Sequence, residues 1–496
     1  MKMKTTQPCS KQVIFKALDC LEIHIDLQET SEAIPLNHLF EVGVRKNKKR
    51  IFLFVSKVLG KHLAVNPYMT RLGGTLLAEV YYKKQVGKVL QEDELLELFN
   101  KKELPKEACE KVLEVTYPLE QETLFIGFAE TATGLGHSMF SAFDNKATFI
   151  HTTREPIISE VPTFAFQEEH SHATGHECYT KDPLFFKRFS HIVLVDDEIT
   201  TGNTALNLIE ALHEKSGAKA YSVVALLDWR NEEQKEKAKL LAEKLGVTIE
   251  FISVIQGTIA PIILKSLSEE AMETKEILKY PEIVEEENTN VLQEEVVVTK
   301  TPKSVQLISY YNGRYGRYET LKVGLDHMTE KVIKGGDQRE QVVGYMSANG
   351  RFGLTANENK TFEKRLLQLG QVLSGYRTST KTLCIGTEEF IYVPAMMACA
   401  MGEGVYYQST TRSPIMTAKR PDYPLHTALA YKRPEDETVI NYIYNIQEGN
   451  YEEAFWFIER DVRPEFKQMM AEVFSEKGIR KIYFVCCDGK LEEIYE

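Results

Sequence analysis

The sequence predicts an α/β protein: a parallel-sheet domain followed by a second, degenerate copy of a similar α/β fold. Short all-apolar runs such as Ile192–Val195 end abruptly in polar loops, and such runs are typical of buried parallel strands. Apolar residues at helical spacing follow, and Tyr221–Leu227 is the next apolar run, which gives the order strand, loop, helix, strand. Late in the chain, Thr382–Ile415 echoes Thr123–Ile157, and matches that recur in the same order indicate duplication.

The length and composition predict an ordinary soluble protein with more than one domain. The chain has 496 residues, of which 43% are hydrophobic and 27% are charged. This length is more than a single hydrophobic core usually serves. We expect a first domain over residues 1–264, an acidic linker over 265–304 with room for one helix, and a second domain over 305–496.

The charge, the apolar runs and the cysteines argue against several classes of protein. A net charge of −12 disfavours nucleic acid as the main partner. No apolar run reaches membrane-spanning length, and the first residues lack the apolar core of a signal peptide, so we expect no membrane contact and a cytoplasmic location. The eight cysteines are scattered without paired metal spacing and are expected to be reduced thiols.

The stretch 191–204, HIVLVDDEITTGNT, carries the clearest chemistry. Asp196 and Asp197 follow the apolar run directly, at the carboxyl end of the predicted strand. The loop from this strand into the next helix presents backbone N–H groups at the positive end of the helix dipole, which suits a phosphate. Further donors and a close backbone approach come from Thr200, Thr201, Gly202, Asn203 and Thr204. The two acids then either accept from vicinal hydroxyls or hold a divalent cation, and a phosphorylated sugar satisfies both halves of the stretch.

Two other phosphate-binding loops are excluded by their residues. A P-loop needs a Lys before its Ser or Thr, and a dinucleotide-binding fold needs GxGxxG between strand and helix. The stretch instead resembles the phosphoribosyl pyrophosphate motif of the type I phosphoribosyltransferases, with four apolar residues, two acids and a Thr/Gly loop. The resemblance implies that residues 200–204 bind the 5-phosphate of this donor. It also implies that Asp196 and Asp197 accept from the ribose hydroxyls, with Mg²⁺ as the cofactor nearby.

The resemblance also assigns roles within residues 123–157. In such enzymes the loop after the first strand holds the donor's pyrophosphate, and here that loop consists of Glu130, Thr131, Ala132, Thr133 and Gly134. Arg154 stands where these enzymes place a basic residue that contacts phosphate, although a surface arginine is the alternative. The expected catalytic residues are therefore Asp196, Asp197 and Arg154, and Arg154 and Mg²⁺ are expected to stabilise the departing pyrophosphate.

A loop over residues 158–186 is expected to act as a lid. It would close over the donor and exclude water during the glycosyl transfer. Its three histidines, His170, His172 and His176, are expected to bind the acceptor or to give acid/base help. In the alternative interpretation they form a transition-metal site with neighbouring acids and Cys178, although HxHxxxH matches no standard structural zinc pattern.

Trp229 and Arg230 follow the strand that should neighbour the central one. A tryptophan at a strand mouth, with an arginine beside it, is suited to stack on a planar acceptor. The alternative is that Trp229 seals the end of the sheet. Both interpretations are open from the sequence.

The second copy lacks the phosphate loop. Where the first copy has DDEITTGNT, the second has FWFIERDVRP, with Arg and Pro in place of the Gly and Thr that would cradle a phosphate, so it should not bind phosphoribosyl pyrophosphate. Phosphoribosyltransferases commonly pair two-fold, with one partner lending residues to the other's site. We therefore expect an intramolecular pseudo-dimer of the two domains, with further homo-oligomerisation open. In it Arg412, the counterpart of Arg154, is either a phosphate ligand acting across the interface or a structural residue.

The segment Thr411–Pro414, TRSP, identifies closer relatives. The chain resembles the two-part proteins of tellurite-resistance and stress-associated bacterial gene clusters, in which a phosphoribosyltransferase domain precedes a TRSP domain. The resemblance implies transfer to an unidentified, nitrogenous base-like acceptor, which makes a nucleoside-like metabolite. Two alternatives stay open: a non-catalytic sensor of phosphoribosyl pyrophosphate or a nucleotide, and a metal-binding stress protein that uses the His cluster.

Overall fold

The computed structural model describes residues 11–28, 34–45, 51–166, 175–180, 182, 184–260, 263–264, 277–278, 293–295, 305–312, 316–325, 328–334 and 340–488. The strands, helices and contacts below belong to this part of the chain. Within it, no helix is long and apolar enough to cross a membrane.

Strands and helices alternate in the first half of the chain, after two N-terminal hairpins and a group of helices. Their bounds are β1 Lys11–Ala17, β2 Leu21–Leu27, α1 Leu36–Leu39, β3 Phe40–Val44, β4 Phe52–Ser56, α2 Tyr68–Val86, α3 Glu92–Asn100, α4 Lys106–Leu113, β5 Thr123–Gly127, α5 Ala132–Phe140, β6 Ala147–His151, β7 Phe164–Phe166, β8 His176–Cys178, β9 His191–Ile199, α6 Asn203–His213, β10 Ala220–Asp228, α7 Glu232–Leu245, β11 Thr248–Ile259 and β12 Ile263–Leu264.

Strands β6, β5, β9, β10 and β11 lie side by side and parallel in the first sheet, which confirms the predicted α/β class. The apolar run of β9 is buried on both faces. Val193 and Val195 pack with α2 and α5, and Ile192 and Leu194 pack with α6. Strand β9 continues to Ile199, so the two aspartates lie in the carboxyl-end part of the strand, as predicted, and the strand extends two residues beyond Asp197.

The second half of the chain forms another sheet. Its elements are β13 Ile277–Leu278, β14 Gln293–Glu295, β15 Val305–Asn312, β16 Gly316–Val323, β17 Met328–Lys334, β18 Glu340–Met346, β19 Leu354–Thr355, α8 Ala356–Ser374, β20 Thr382–Gly386, α9 Tyr392–Cys399, β21 Val405–Ser409, β22 Ala428–Lys432, β23 Ile440–Tyr444, β24 Glu453–Ile458, α10 Pro464–Glu476 and β25 Lys481–Cys486. Within the expected linker, the described pieces β13 and β14 are strands that pair with β22 and β15, not a helix.

The second sheet repeats the strand order of the first. Strands β21, β20, β24, β25 and β16 are neighbours and parallel, in the order that β6, β5, β9, β10 and β11 follow in the first sheet. The pairing registers align β9 with β24, so that Asp196 and Asp197 correspond to Ile458 and Glu459. One difference is that β16 precedes the other four strands in the chain, whereas β11 follows its four.

Hydrogen bonds also repeat between the two segments that echo each other in sequence. Thr152 Oγ1 accepts from Ala129 N at 2.9 Å, and its counterpart Thr410 Oγ1 accepts from Glu388 N at 3.0 Å. The loops after β5 and β20 therefore leave their sheets in the same way. The match between the two segments extends from residue types to backbone geometry.

Buried polar contacts join the two halves. Strand β19 of the second half pairs with β6 of the first. Arg71 on α2 is buried and bonds to Glu363 and Tyr392. His137 stacks on Tyr392 with ring centroids 3.6 Å apart, and its Nε2 lies 2.7 Å from Asn359 Oδ1. Because breaking a buried ion pair typically costs about 3–5 kcal/mol, these contacts hold the halves together strongly.

Two buried histidines near this interface should make the stability depend on pH. Burial lowers the pKa of His137 and of His151 from 6.5 to about 3. As the pH falls below 6.5 the unfolded chain binds these protons first, so the free energy of unfolding should decrease toward pH 3. Each histidine contributes a slope of up to about 1.4 kcal/mol per pH unit.

A His151→Gln variant should therefore lose stability less steeply than the wild type when urea unfolding is measured between about pH 7 and 5. His24→Gln is the matched control, because His24 is part-exposed on β2 beside Glu22. Identical slopes for the wild type and His151→Gln would contradict the assignment.

Candidate active site

The predicted site residues follow three neighbouring strands at one edge of the first sheet. Gly127 at the end of β5 pairs with Val195 of β9 on one side and with His151 of β6 on the other. Because the strands are parallel, the residues that follow them gather at the same edge. The structure thus brings the two aspartates, Glu130 and Arg154 to one side of the sheet.

The aspartates and the turn after them are accessible and rich in hydrogen-bond donors. Asp196 and Asp197 are partly exposed, and Asp196 Oδ1 accepts from Asp197 N at 2.9 Å. In the turn Thr200 is exposed, and three side chains are partly exposed: Thr201, Asn203 and Thr204. Helix α6 begins at Asn203, so the N–H groups of its first turn have no helical acceptor and lie at the positive end of its dipole.

Gly202 stands where this turn enters α6 and cannot be replaced without strain. Its φ is +78°, and a Cβ there would lie 3.0 Å from Arg230 Cδ. Arg230 is buried, its Nη2 donates to Asp228 Oδ2 at 2.8 Å, and its guanidinium lies 3.3 Å from the centre of the Phe251 ring. Arg230 therefore packs against the turn and Phe251, and its expected contact with the acceptor stays a prediction.

Trp229 packs inside the sheet end. It is 4% exposed, and its ring centroid lies 6.1 Å from that of Phe40 and 5.2 Å from that of Phe54. Of the two interpretations that the sequence left open, this geometry favours sealing of the sheet over stacking on an acceptor.

Lys61 contacts the loop after β5. Its Nζ donates to Thr131 Oγ1 at 2.6 Å and lies 3.5 Å from Glu130 Oε2. The lysine side chain is 13% exposed, so it is not a solvated surface residue. Glu130 is 6% exposed, and within the described chain its Oε1 has no hydrogen-bond partner. A bound ligand or ion would satisfy this buried oxygen.

The rest of the predicted pyrophosphate loop is the first turn of α5. Ala132, Thr133 and Gly134 are buried there. Thr133 Oγ1 donates to Glu389 O at 2.9 Å, and a Cβ at Gly134 would lie 2.3 Å from Ile391 Cγ2. Both positions pack against the second half of the chain, and their expected contact with the pyrophosphate stays a prediction.

Arg154 is positioned through its backbone by the second half. Glu389 Oε1 accepts from Arg154 N, and Glu389 Oε2 accepts from Thr153 Oγ1, both at 2.7 Å. In the aligned segments Glu389 is the counterpart of Glu130. Reasoning from the sequence missed Glu389: the alignment of the two segments places it opposite Glu130 but does not indicate its contact with Arg154.

Arg412, the counterpart of Arg154, is paired with Glu388. Its Nε donates to Glu388 Oε2 at 3.1 Å, and its Nη2 bonds to the same oxygen. Burial disfavours the charged guanidinium, but the carboxylates of Glu388 and Glu130 outweigh burial and raise its pKa. Arg412 therefore lies within electrostatic reach of the first-half loop while bound to its own, which is compatible with both roles predicted for it.

Of the three lid histidines, His170 and His172 lie outside the described residues. His176 is buried, its Nδ1 lies 3.0 Å from Thr152 Oγ1, and its ring stacks on Phe166. In the ranges that the structure describes, no group of three or more His, Cys, Asp or Glu residues is placed to hold a metal ion. The lid and the transition-metal site stay predictions.

The edge of the parallel sheet carries two acids and a Thr/Gly turn that begins a helix. These features define the class of the protein: an α/β protein with a candidate sugar-phosphate site. Residues 39–258 match the family described as phosphoribosyl transferase, PRTase_2, and residues 348–474 match the TRSP domain that is C-terminal to PRTase_2. The chain therefore contains a PRTase_2 phosphoribosyltransferase domain followed by a TRSP domain.

Solved structures of adenine phosphoribosyltransferases are distantly similar to the chain. The enzyme of Leishmania donovani is 16% identical over 27% of this chain and 56% of its own, with a TM-score of 0.19, so the match spans about half of that enzyme. The enzyme of Trypanosoma brucei, in complex with AMP, pyrophosphate and ribose-5-phosphate, is 12% identical over 49% and 86%, with a TM-score of 0.25. The enzyme of Rhodothermus marinus is 15% identical over 45% and 96%, with a TM-score of 0.24. None of the curated proteins compared with the chain matches it.

Proposed function

We propose that the chain transfers ribose 5-phosphate from phosphoribosyl pyrophosphate to a nitrogenous base-like acceptor, with release of pyrophosphate, in the synthesis of a nucleoside-like metabolite. One observation carries this proposal: the two aspartates and the helix-starting Thr/Gly turn adjoin the loop at Glu130, inside the region that matches PRTase_2. The family supplies the class of reaction, and the residues at the sheet edge supply the contacts to the donor.

The turn and the two acids contact different parts of the ribose 5-phosphate. The N–H groups and hydroxyls of residues 200–204 bind the 5-phosphate, and Asp196 and Asp197 accept from the ribose hydroxyls. Hydrogen bonds to a charged group contribute roughly 1.5–3 kcal/mol each. Several such bonds on one small ligand fix the anomeric carbon in place for the attack of the acceptor.

Two cations serve the pyrophosphate. Lys61 lies against Thr131 and Glu130 after β5, and Arg154 follows the neighbouring strand β6. Negative charge builds up on the pyrophosphate as its bond to the ribose breaks. Cations held in position before the reaction stabilise this charge without reorganisation.

The aspartate pair is suited to Mg²⁺. This ion prefers oxygen ligands, keeps several waters and is usually held by one or two carboxylates together with substrate phosphates. Asp196 and Asp197 are partly exposed at the strand end, so they can hold a hydrated ion. Bound there, Mg²⁺ supplies neutralising charge to the pyrophosphate group.

The β3–β4 hairpin provides an apolar cover for the acceptor. A cavity of about 10 Å³ lies between Phe40 and Phe54 of this hairpin, Asp197 and the end of β10. This volume holds roughly one water molecule, so the hairpin must shift to admit an acceptor. Apolar walls beside the acids suit a flat, weakly polar acceptor and exclude water from the reaction.

The second half completes this site as an intramolecular partner, in a pseudo-dimer of two similar folds. Its Glu389 fixes the backbone at Thr153 and Arg154, and its Arg412 lies within electrostatic reach of Glu130. On this proposal, the second copy has kept its packing role and lost its own phosphate turn.

Calorimetric titration of magnesium phosphoribosyl pyrophosphate into the full chain, with pyrophosphate release followed in the same samples, tests the proposal. Binding with release in the presence of a nitrogenous base supports the transferase. Binding without release, for a broad panel of bases, favours the non-catalytic sensor. A folded chain that does not bind the donor contradicts both.

Lys61→Met should weaken donor binding about 10- to 100-fold, because one charge-assisted hydrogen bond is lost. Lys57→Met is the matched control, because Lys57 pairs with Glu41 on the hairpin and is about one-third exposed. We expect this control to change the dissociation constant by less than about twofold. Equal losses in the two variants would point to a general effect of charge and contradict the role of Lys61.

A further inference from the structure

A second cavity lies at the carboxyl edge of the second sheet. Its volume is about 60 Å³, against roughly 10–15 Å³ for one water molecule. The loop after β20 and the end of β24 line it, as the loop after β5 and the end of β9 border the donor site in the first sheet. The phosphate turn is missing here, because Arg463 and Pro464 stand at the start of α10 where Gly202 and Asn203 stand at the start of α6.

Charges of both signs line this cavity and nearly balance. Four arginines and five glutamates contribute to the lining. Arg433 Nη2 lies 2.8 Å from Glu155 Oε1, and Arg351 Nη1 lies 3.1 Å from Glu459 Oε2. Because the arginines are already matched by carboxylates, a strong anion would have to displace a buried ion pair, and breaking such a pair is costly.

Three buried polar atoms of the lining have no hydrogen-bond partner among the described residues. They are Asn441 Oδ1, Tyr431 Oη and Arg351 Nε, on residues that are 1%, 1% and 4% exposed. Tyr431 Oη lies beside Thr410 and Asn441 without a hydrogen bond of normal geometry to either. An unsatisfied buried polar group costs about 1–3 kcal/mol, so three in one cavity indicate an occupant that satisfies them.

We propose that this cavity is a second binding site, for a small polar ligand without net charge. The balanced charge of the lining disfavours ions. Asn441 Oδ1 can accept a hydrogen bond, Arg351 Nε can donate one, and Tyr431 Oη can do both. Together they would recognise a ligand that carries both donors and acceptors. The rings of Trp456 and Phe466 add an apolar wall. Neutral nitrogen heterocycles and zwitterionic amino acids share this chemistry.

Saturation-transfer NMR on the full chain tests the site. The probes are adenine and uracil as neutral heterocycles, glutamine and serine as zwitterions, and pyrophosphate as an anion, whose binding is followed by its ³¹P line width because it has no carbon-bound hydrogen. We expect a heterocycle or a zwitterion to bind, and Tyr431→Phe to weaken that binding about 3- to 10-fold through the loss of one hydrogen bond. A probe that no longer binds the Asp196→Asn, Asp197→Asn variant belongs to the donor site and counts against the proposal.

Tyr431→Phe is informative because the hydroxyl that it removes makes no hydrogen bond of normal geometry to any described residue. Its urea midpoint should therefore equal or exceed that of the wild type. Tyr444→Phe is the matched control: its hydroxyl donates to Ser413 O and accepts from Ile415 N, both at 2.8 Å, so this variant should be less stable and bind the probe normally. The proposal is overturned when no probe binds, when pyrophosphate alone binds, or when Tyr431→Phe binds the probe as the wild type does.

Discussion

The double variant Asp196→Asn, Asp197→Asn should lose measurable binding of magnesium phosphoribosyl pyrophosphate. Each aspartate contributes charge-assisted hydrogen bonds of roughly 1.5–3 kcal/mol, so removing both charges lowers affinity by roughly 10²- to 10⁴-fold. The fold should survive, because both side chains are partly exposed and an asparagine oxygen still accepts from the N–H of residue 197. Calorimetric titration with a pyrophosphate-release assay measures the loss.

A second double variant separates this loss from a change of net charge. Glu233→Gln with Glu236→Gln removes the same charge from the exposed face of α7. Each of these glutamates makes one surface ion pair with a lysine, so donor binding should change by less than about twofold. If the aspartate variant binds the donor as tightly as the wild type does, the donor does not bind at this edge of the sheet.

Glu155→Ala should destabilise the whole molecule by about 3–5 kcal/mol, because it takes the Glu155 carboxylate away from buried Arg460 and removes one of the three carboxylates that pair with Arg433. Glu155 is 8% exposed, and its carboxylate bonds to Arg433, Arg460 and Tyr345. Burial alone would raise the pKa of Glu155, but Arg460 and Arg433 outweigh it and hold the pKa well below 4.5. Urea unfolding at neutral pH measures the difference in free energy.

The same ion pairs predict how this difference changes with pH. A depressed carboxylate pKa stabilises the fold above the unfolded value, near 4.5, and that stability is lost as the pH falls toward the folded pKa. The gap between the wild type and Glu155→Ala should therefore narrow in acid. Glu160→Gln is the control, since Glu160 is 37% exposed with Lys331 as its ion-pair partner, and should cost less than about 1 kcal/mol. A similarly small loss for Glu155→Ala would contradict the prediction.

The central strand and its turn were predictable because their signals are local. The run 192–195 is apolar because both faces of β9 are buried, and the glycine at 202 is needed for a φ that other residues resist. The likeness of the two sheets was predictable because matching residues lie at equivalent places, as Thr152 after β6 and Thr410 after β21 show by accepting equivalent hydrogen bonds.

The contacts between the halves have no local signal. Glu389 is 235 residues from Arg154 along the chain, and nothing in either neighbourhood indicates that they meet. Lys61 reads as a surface lysine because its burial depends on a loop 70 residues later. From the sequence, Gly134 is interpreted as part of a phosphate-binding loop, but the structure also shows that any side chain there would collide with Ile391 of the other half. Such residues become visible only when the packing of the two sheets is known.

Thr153, Arg154 and Glu155 are held by residues that are translated much later, so this part of the protein forms late during translation. A ribosome adds roughly 5–20 residues per second, so the 278 residues between Glu155 and Arg433 take roughly 15–55 s to make. Until then the growing chain has the aspartates and the Thr/Gly turn but lacks the groups that fix the neighbouring phosphate contacts. On the proposed function, a nascent chain is therefore expected not to consume the donor before Arg433 has been translated.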